Sequence, residues 1–516
     1  MDTLIRPAPA GDSARVAPTP AAGPDGDGAA PDRAAKRSRL DTPRALLLIG
    51  IGLIALSVAL VLVMVSGASS ARGGLSAMQA RTNEVAATND LYFRLGDMDA
   101  QAADALLVGF HPTITVPASV DAAASMANYQ ADRSAADSDL QRIAANPALA
   151  TPYRELLDDL GGYEALIAQA FYIDQNTLDE APASPPAAAL ALYETATGQM
   201  HDALLPTAAQ ITSSDVGDVD GAYGGDLDST TGYSWAVGLL ALAMLAALVL
   251  ANRFLDRRFR RILAPALVAA FVLAAAVGGG ALAMLRGESG HFTTAKTDAF
   301  DSINALTTAR AVSDDANADE SRWLLDRTPA FQLGFFADAV KVLDPGGVTA
   351  QAAAADPATY YDAVKNGTSP AALGFNAASN SVSPSGPDDV GGHGYLGDEL
   401  DNITFPGEAR AAYSTVLAYN AYIQDDATIR GDAADGNLAA AVTFDIGLQQ
   451  GQSNHDFGVY DQDLLAVVGI NQSAFQSAVS QGTSELGIWD WLPFALVVAL
   501  PILVAAAIYP RLREYS

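Results

Sequence analysis

Apolar residues in this chain gather into four long runs, and the stretches between them are polar, alanine-rich and patterned at helical spacing. The runs cover 45–67, 234–252, 262–285 and 489–509. Most hold no ionisable side chain over ~20 residues, the length a helix needs to cross ~30 Å of hydrocarbon. The pattern predicts four transmembrane helices. Lys36-Arg37-Ser38-Arg39 and Arg44 precede the first run. Arg253, Arg257, Arg258, Arg260 and Arg261 stand between the second and third, and Arg511 and Arg513 follow the fourth. Short basic segments stay in the cytoplasm. The expectation is a multi-pass cell-membrane protein with cytoplasmic tails at 1–44 and 510–516 and a basic cytoplasmic loop at 253–261. Segments 68–233 and 286–488 then lie outside.

Both outer segments read as helical bundles. In the first, helix continues from the membrane to about Gly109 and stops at His111-Pro112, because proline removes a donor and disfavours helix in the residue before it. Further helices are expected at about 119–145, 152–178 and 187–211. Four such helices fit an up-down-up-down bundle. Residues 215–231, rich in Gly and Asp, read as a linker to the second span. The second segment predicts helix to about Arg327, pieces at 331–343 and 357–365, and a surface loop at 374–397. A helix at 407–430 follows, then a continuous one from Asn437 through Glu485 into the fourth span. Strand signals are sparse, with Thr113–Val116 the main one.

The two halves share an order of short motifs. Ala80-Arg-Thr82, Leu91, Asp99-Ala100 and Leu106-Leu107 are echoed by Ala295-Lys-Thr297, Leu306, Asp315-Ala316 and Leu324-Leu325. Tyr163-Glu-Ala165-Leu-Ile167 is echoed by Tyr419-Asn-Ala421-Tyr-Ile423. The expectation is an internal duplication of one plan: span, outer bundle, span.

The net charge of −30 is unevenly spread. The first outer segment has 23 acidic and 6 basic residues, the second 27 and 9, and the middle loop five arginines and one aspartate. Acidic exteriors exclude nucleic-acid binding, which needs a basic footprint. They read as solubility in a salty or wall-associated space, with steering of a cationic partner as the functional alternative. The absence of cysteine rules out disulfides, thiolate zinc sites and thiol nucleophiles. Abundant alanine and four lysines suggest a GC-rich genome, as in actinobacteria or halophilic archaea. Residues 1–35, rich in Pro, Ala, Gly and Asp, read as a disordered tail.

No catalytic, cofactor or metal site is expected. The five histidines, His111, His201, His291, His393 and His455, show no metal-ligand spacing and read as single polar side chains. The acidic groups Asp215, Asp218, Asp220, Asp226 and Asp228, and Asp388, Asp389, Asp398, Glu399 and Asp401, lack the EF-hand pattern and read as solvated linkers. Gly278-Gly-Gly280 lies within a span and favours close helix packing. Spans nearly free of ionisable groups argue against a transporter. Aromatics at Tyr92-Phe93, Phe171-Tyr172, Phe331, Phe335-Phe336, Tyr360-Tyr361 and Tyr419/Tyr422 read as bundle core, with a docking surface or small-ligand pocket as the alternative. Arg257, Arg258, Arg260, Arg261, Arg511 and Arg513 are the candidate contacts with membrane lipid or a cytoplasmic partner.

Three stretches carry a resemblance: Tyr163-Glu-Ala-Leu-Ile167; Leu192-Tyr193-Glu-Thr-Ala-Thr-Gly-Gln-Met200 with Leu204-Leu205-Pro206; and Pro510-Arg511-Leu512-Arg513-Glu514-Tyr515. In these the chain resembles the four-span actinobacterial membrane proteins of the glutamine-binding lipoprotein and protein kinase G amino-acid-sensing system. At 171–176 it departs from that family's Asn/Arg/Gly-rich segment. The resemblance implies outer bundles like chemoreceptor sensor domains, a solute-binding lipoprotein as outer partner and a cytoplasmic serine/threonine kinase as inner partner. The sequence reading is therefore an all-α membrane protein with four transmembrane helices and two extracytoplasmic four-helix bundles in tandem, acting as a non-enzymatic signal relay. An envelope scaffold or an accessory subunit of an uptake system is the alternative.

Overall fold

A computed structural model describes residues 42–111, 121–144, 149–178, 183–259, 264–376, 379, 381–382 and 394–513. Several expectations fall outside these residues: the tail 1–35 with Lys36, Arg37 and Arg39; the strand at Thr113–Val116; the acidic pair Asp388 and Asp389; His393; and Arg260, Arg261, Glu514 and Tyr515. Among the described residues there is no β-strand, only an isolated bridge between Asn376 and Ser381. The fold is all-α.

The first half opens with α1 (Thr42–Val108), one unbroken helix of 67 residues. At about 1.5 Å per residue it is roughly 100 Å long, so a single element crosses a bilayer and runs far beyond it. Helices α2 (Ala122–Ile143) and α3 (Ala150–Gln175) follow. Asp121 caps α2, its carboxylate accepting from the Ala124 N–H at 2.8 Å. The return path is α4 (Ala187–Gln199), a π-helical turn (Met200–Leu204) and α5 (Leu205–Phe259). Pro206 explains the π turn. It has no N–H for the preceding turn and its ring crowds the carbonyl there, and a wider turn relieves both.

The stretch 215–231 is not a linker but part of α5. Val216, Val219, Tyr223, Leu227 and Thr230 recur every three or four residues, and Val219 and Thr230 are buried. Val216, Tyr223 and Leu227 pack on the same core as Val219. Gly221, Gly224 and Gly225 face open space. The packed stripe offsets the roughly 1 kcal/mol that each helical glycine costs relative to alanine.

The second half starts with α6 (Pro265–Thr293), passes a π turn (Thr294–Phe300) and continues as α7 (Asp301–Asp326). The wide turn frees carbonyls, and the Asn402 amide donates to those of Thr297 and Asp298 at 2.9 and 3.3 Å. Then come α8 (Pro329–Val342), α9 (Ala350–Ala355), α10 (Pro357–Gly367) and α11 (Pro370–Leu373). The chain ends with α12 (Tyr395–Asp401), α13 (Glu408–Ala434), α14 (Leu438–Asp445), α15 (Ser453–Glu485) and α16 (Leu492–Leu512).

The expected unbroken helix from Asn437 into the membrane is interrupted twice. At 446–452 the chain turns through Gly451, whose φ of +79° suits glycine alone among ordinary residues. At Leu486–Asp490 a 3-10 turn precedes Pro493, which disfavours a regular helix in the residue before it.

Among the described residues four helices are long and apolar enough to cross a membrane, and this is a membrane protein. They pack together through Leu53 of α1, Leu248 of α5, Ala270 of α6 and Val504 of α16. Outward-facing Leu242, Leu250 and Ile502 are 60–65% exposed, which suits a lipid-facing surface. Exposed Trp235, Trp491 and Tyr509 mark span ends, where amphipathic rings prefer to lie.

Candidate functional site

The two segments between the spans, 68–233 and 286–488, meet along a seam. They share a core: Leu95, Leu106 and Tyr163 of the first half pack in one cluster with Leu324, Ile429 and Val442 of the second. At the seam of this core lies a buried charge cluster.

Its centre is Arg322. The run Ser313–Arg322 is strongly polar, yet Arg322 is fully buried. Asp315, Asp319 and Arg322 fall on one face of α7 by their spacing. The guanidinium pairs with Asp315 at 2.9 Å and Asp319 at 2.8 Å, and with Asp99 of α1 at 2.8 Å. Asp99 occupies a core position between buried Leu95 and Leu106. Its carboxylate accepts from the Tyr163 hydroxyl at 3.0 Å and the Thr197 hydroxyl at 2.6 Å, with Tyr193 at 3.5 Å. The segments 163–167 and 192–200 thus converge on a single carboxylate.

His201, on the π turn, ties the halves a second time. Its Nε2 is 3.0 Å from Asp315 Oδ1 and its Nδ1 is 2.8 Å from the Thr197 carbonyl. Both partners are acceptors, so both ring nitrogens must donate, which requires the imidazolium. Burial and the Arg322 charge push the His201 pKa down, but the Asp315 carboxylate outweighs them and raises it to about 9. Burial works against ionised Asp315, yet Arg322 and His201 hold its carboxyl well below the usual range. Burial pushes Asp319 up to about 7 despite Arg322. Three carboxyl groups thus face the Arg322 guanidinium and the His201 ring at this seam. This corrects the expectation of a single polar role for His201.

Beside this cluster the Ser321 hydroxyl lies between Asp104 at 2.6 Å and Asp445 at 2.8 Å. Burial raises Asp104 to about 6. Arg310 of α7 stacks on Phe93 of α1 at 3.7 Å and forks onto Asp461.

On the membrane side of the cluster a cleft of about 440 Å³ opens between the halves. Tyr92 of α1, Thr212 of α5, Thr308 of α7 and Lys341 of α8 line it, so it touches three helices that continue into spans. Its volume falls in the ~300–1,000 Å³ range of small-molecule sites. Of the aromatics, Phe335, Phe336, Tyr360, Tyr419 and Tyr422 are core, Tyr92 lines the cleft, and Tyr172 is exposed.

The acidic residues 215–228 are held on α5. Asp220 pairs with Lys296 of the second π turn at 2.7 Å, and Arg81 donates to the Asp218 carbonyl. Among the described residues no group of three His, Asp or Glu side chains is arranged to hold a metal ion. Of the candidate arginines, Arg257 and Arg258 lie in the last turn of α5 and Arg511 in the last turn of α16, with Arg513 at its cap. Leu46, Leu255, Leu267 and Ile508 cluster at this end, so the arginine-bearing helix ends converge.

Residues 74–224 match the family model of an actinobacterial sensor domain. The matched stretch contributes Asp99, Tyr163, Tyr193, Thr197 and His201 to the charge cluster. The match supports a sensor protein in actinobacteria, with a sensing or signalling role. No curated protein and no solved structure matches the chain.

The charge cluster escaped the sequence reading because a polar run in an acidic protein looks solvated. Two signals pointed to it. Asp99 interrupts an apolar stripe, and the face Asp315-Asp319-Arg322 carries two acids for one base.

Proposed function

We propose that the chain is a non-enzymatic transmembrane signal relay. Outside, it reads an amino-acid-binding lipoprotein in its ligand-loaded form; inside, it acts on a serine/threonine kinase. One observation carries this reading: Asp99, on a helix that runs unbroken into the first span, is clamped by Arg322, on a helix path that runs through one π turn into the third. A partner that displaces the seam moves helices that emerge at the far side of the bilayer. The sensor-domain match supports the outer role. The duplication expected from the sequence would make Asp99 and Asp315 counterparts, and both pair with Arg322.

The test is a pull-down of the full-length chain from its native membrane, repeated with Arg257, Arg258, Arg260 and Arg261 replaced by glutamine. Recovery of a solute-binding lipoprotein together with a kinase, the kinase lost in the variant, is the expected result. Recovery of transporter or wall-assembly subunits in their place overturns the relay and favours the scaffold reading.

A second reading rests on the cleft beside Tyr92 and Lys341: direct capture of a small molecule by the seam. It predicts that the purified full chain is stabilised by a solute with no lipoprotein present.

A further inference from the structure

At the arginine-bearing end of the spans, α5 and α6 leave a groove of about 240 Å³ between them, open to the side. Buried Leu248 and Leu267 form its floor. Its walls are Val249, Val268 and Phe271, with Val249 and Val268 about two-fifths exposed. Its end is polar, closed by Asn252 and Arg253. Asn252 is fixed there, because its Oδ1 accepts from the Ala264 N–H at 3.2 Å and so joins the two helix ends.

The register of α5 sets the charge at the mouth. Val249, Arg253 and Arg257 follow one another at four-residue steps, so they share one helix face. An apolar wall therefore passes directly into two arginines whose backbones stand about 6 Å apart along the axis. The same arrangement recurs on the other pair of spans. There, Leu47, Leu48 and Leu512 line a second groove between α1 and α16, with Arg44 at its edge.

We infer that the α5–α6 groove is a binding site for one anionic phospholipid, with an acyl chain along Val249, Val268 and Phe271 and the phosphate on Arg253 and Arg257. The occupant follows from the setting. The groove opens toward the hydrocarbon, is smaller than a typical small-molecule pocket, and ends in cations at the depth of the headgroups. Guanidinium groups pair with phosphate through two parallel hydrogen bonds, and basic pockets between spans hold lipid headgroups. A bound lipid would tie the end of α5 to the start of α6. This inference is independent of the relay, since it needs neither the lipoprotein nor the kinase.

The test uses the full-length chain purified in detergent and native mass spectrometry after adding equal amounts of phosphatidylglycerol and phosphatidylcholine. The expected result is retained phosphatidylglycerol in several-fold excess. Arg253→Gln should cut the phosphatidylglycerol preference, and Val268→Trp, which fills the groove without changing charge, should reduce retention of both. Unchanged retention in Val268→Trp would show that lipid is held by surface charge alone, and an undiminished preference in Arg253→Gln would remove the headgroup contact. Either result overturns the site.

Discussion

The carboxylate of Asp99 lies 2.8 Å from the guanidinium of Arg322, and neither side chain reaches solvent. Residues 223 positions apart in sequence thus join α1 to α7 through the most buried charges at the seam. Removing one member of a buried pair strands the other, at a cost of about 3–5 kcal/mol. Arg322 serves three carboxylates and Asp99 answers one cation, so the two losses differ. Arg322→Leu should be the more damaging and Asp99→Asn clearly milder. Denaturant unfolding of the detergent-purified chain measures both, and equal losses would contradict the clamp.

Thr197→Val removes one hydroxyl and keeps the shape. The Asp99 carboxylate then loses its 2.6 Å donor. Hydrogen bonds to charged groups contribute about 1.5–3 kcal/mol. A loss in that range is expected in the same unfolding assay, with a similar loss for Tyr163→Phe.

The seam should loosen as pH rises. His201 has a folded-state pKa raised to about 9 from an ordinary value of 6.5, so its stabilisation is full below 6.5 and is lost through 9. Asp319, raised by burial to about 7, acts in the same direction, because ionising it adds an unbalanced buried charge. Protection factors of residues 95–108, taken against the base-catalysed intrinsic exchange rate at each pH, should therefore fall between pH 6.5 and 9. His201→Gln should flatten the upper part of that profile, and an unchanged profile would show that His201 is not the titrating group.

Glu288 makes a separate test just above the third span. It is fully buried, and both carboxyl oxygens lack hydrogen-bond partners. Burial, then the nearby Glu485 charge, raises its pKa to about 7 against the pull of Arg72. Glu288→Gln should match the parent near pH 4 and be the more stable of the two above pH 8. Loss of stability at both pH values would assign the carboxylate a partner in the folded protein.

Gly278 and Gly279 are adjacent but should respond oppositely. A β-carbon on Gly278 would come 2.8 Å from Ala241, whereas Gly279 has open space around it. Overpacking costs about 1–3 kcal/mol. Gly278→Val should lower the melting temperature of the purified chain, and Gly279→Ala should leave it unchanged or raise it.

Much of the architecture was legible because hydropathy and proline are local signals. The four spans and the stop of α1 near Gly109 needed no knowledge of neighbours. What failed was non-local. The glycines of 215–231 hid a stripe that is helical only because α1 packs on it, and Gly451 broke a helix whose apolar period continues past it. The candidate site was the least legible part. Arg322 is recognisable as buried only once Asp99 is known to face it, and no periodicity within either half reports that pairing. The basic residues near the membrane were legible as charge, but the groove that gives Arg253 its setting exists only between two helices.

The π turns at Met200–Leu204 and Thr294–Phe300 have a geometric consequence for the spans. A π turn carries one residue more than the α turn it replaces, which offsets everything beyond it by about 100° around the helix axis. The second and third spans are therefore held out of phase with the outer helices above them, while the first, on α1, is in phase throughout. Loss of either bulge would turn the span beyond it by about that angle, like a key, without breaking a helix. On α5 the arginines at its end would then be carried around the helix axis rather than pushed along it.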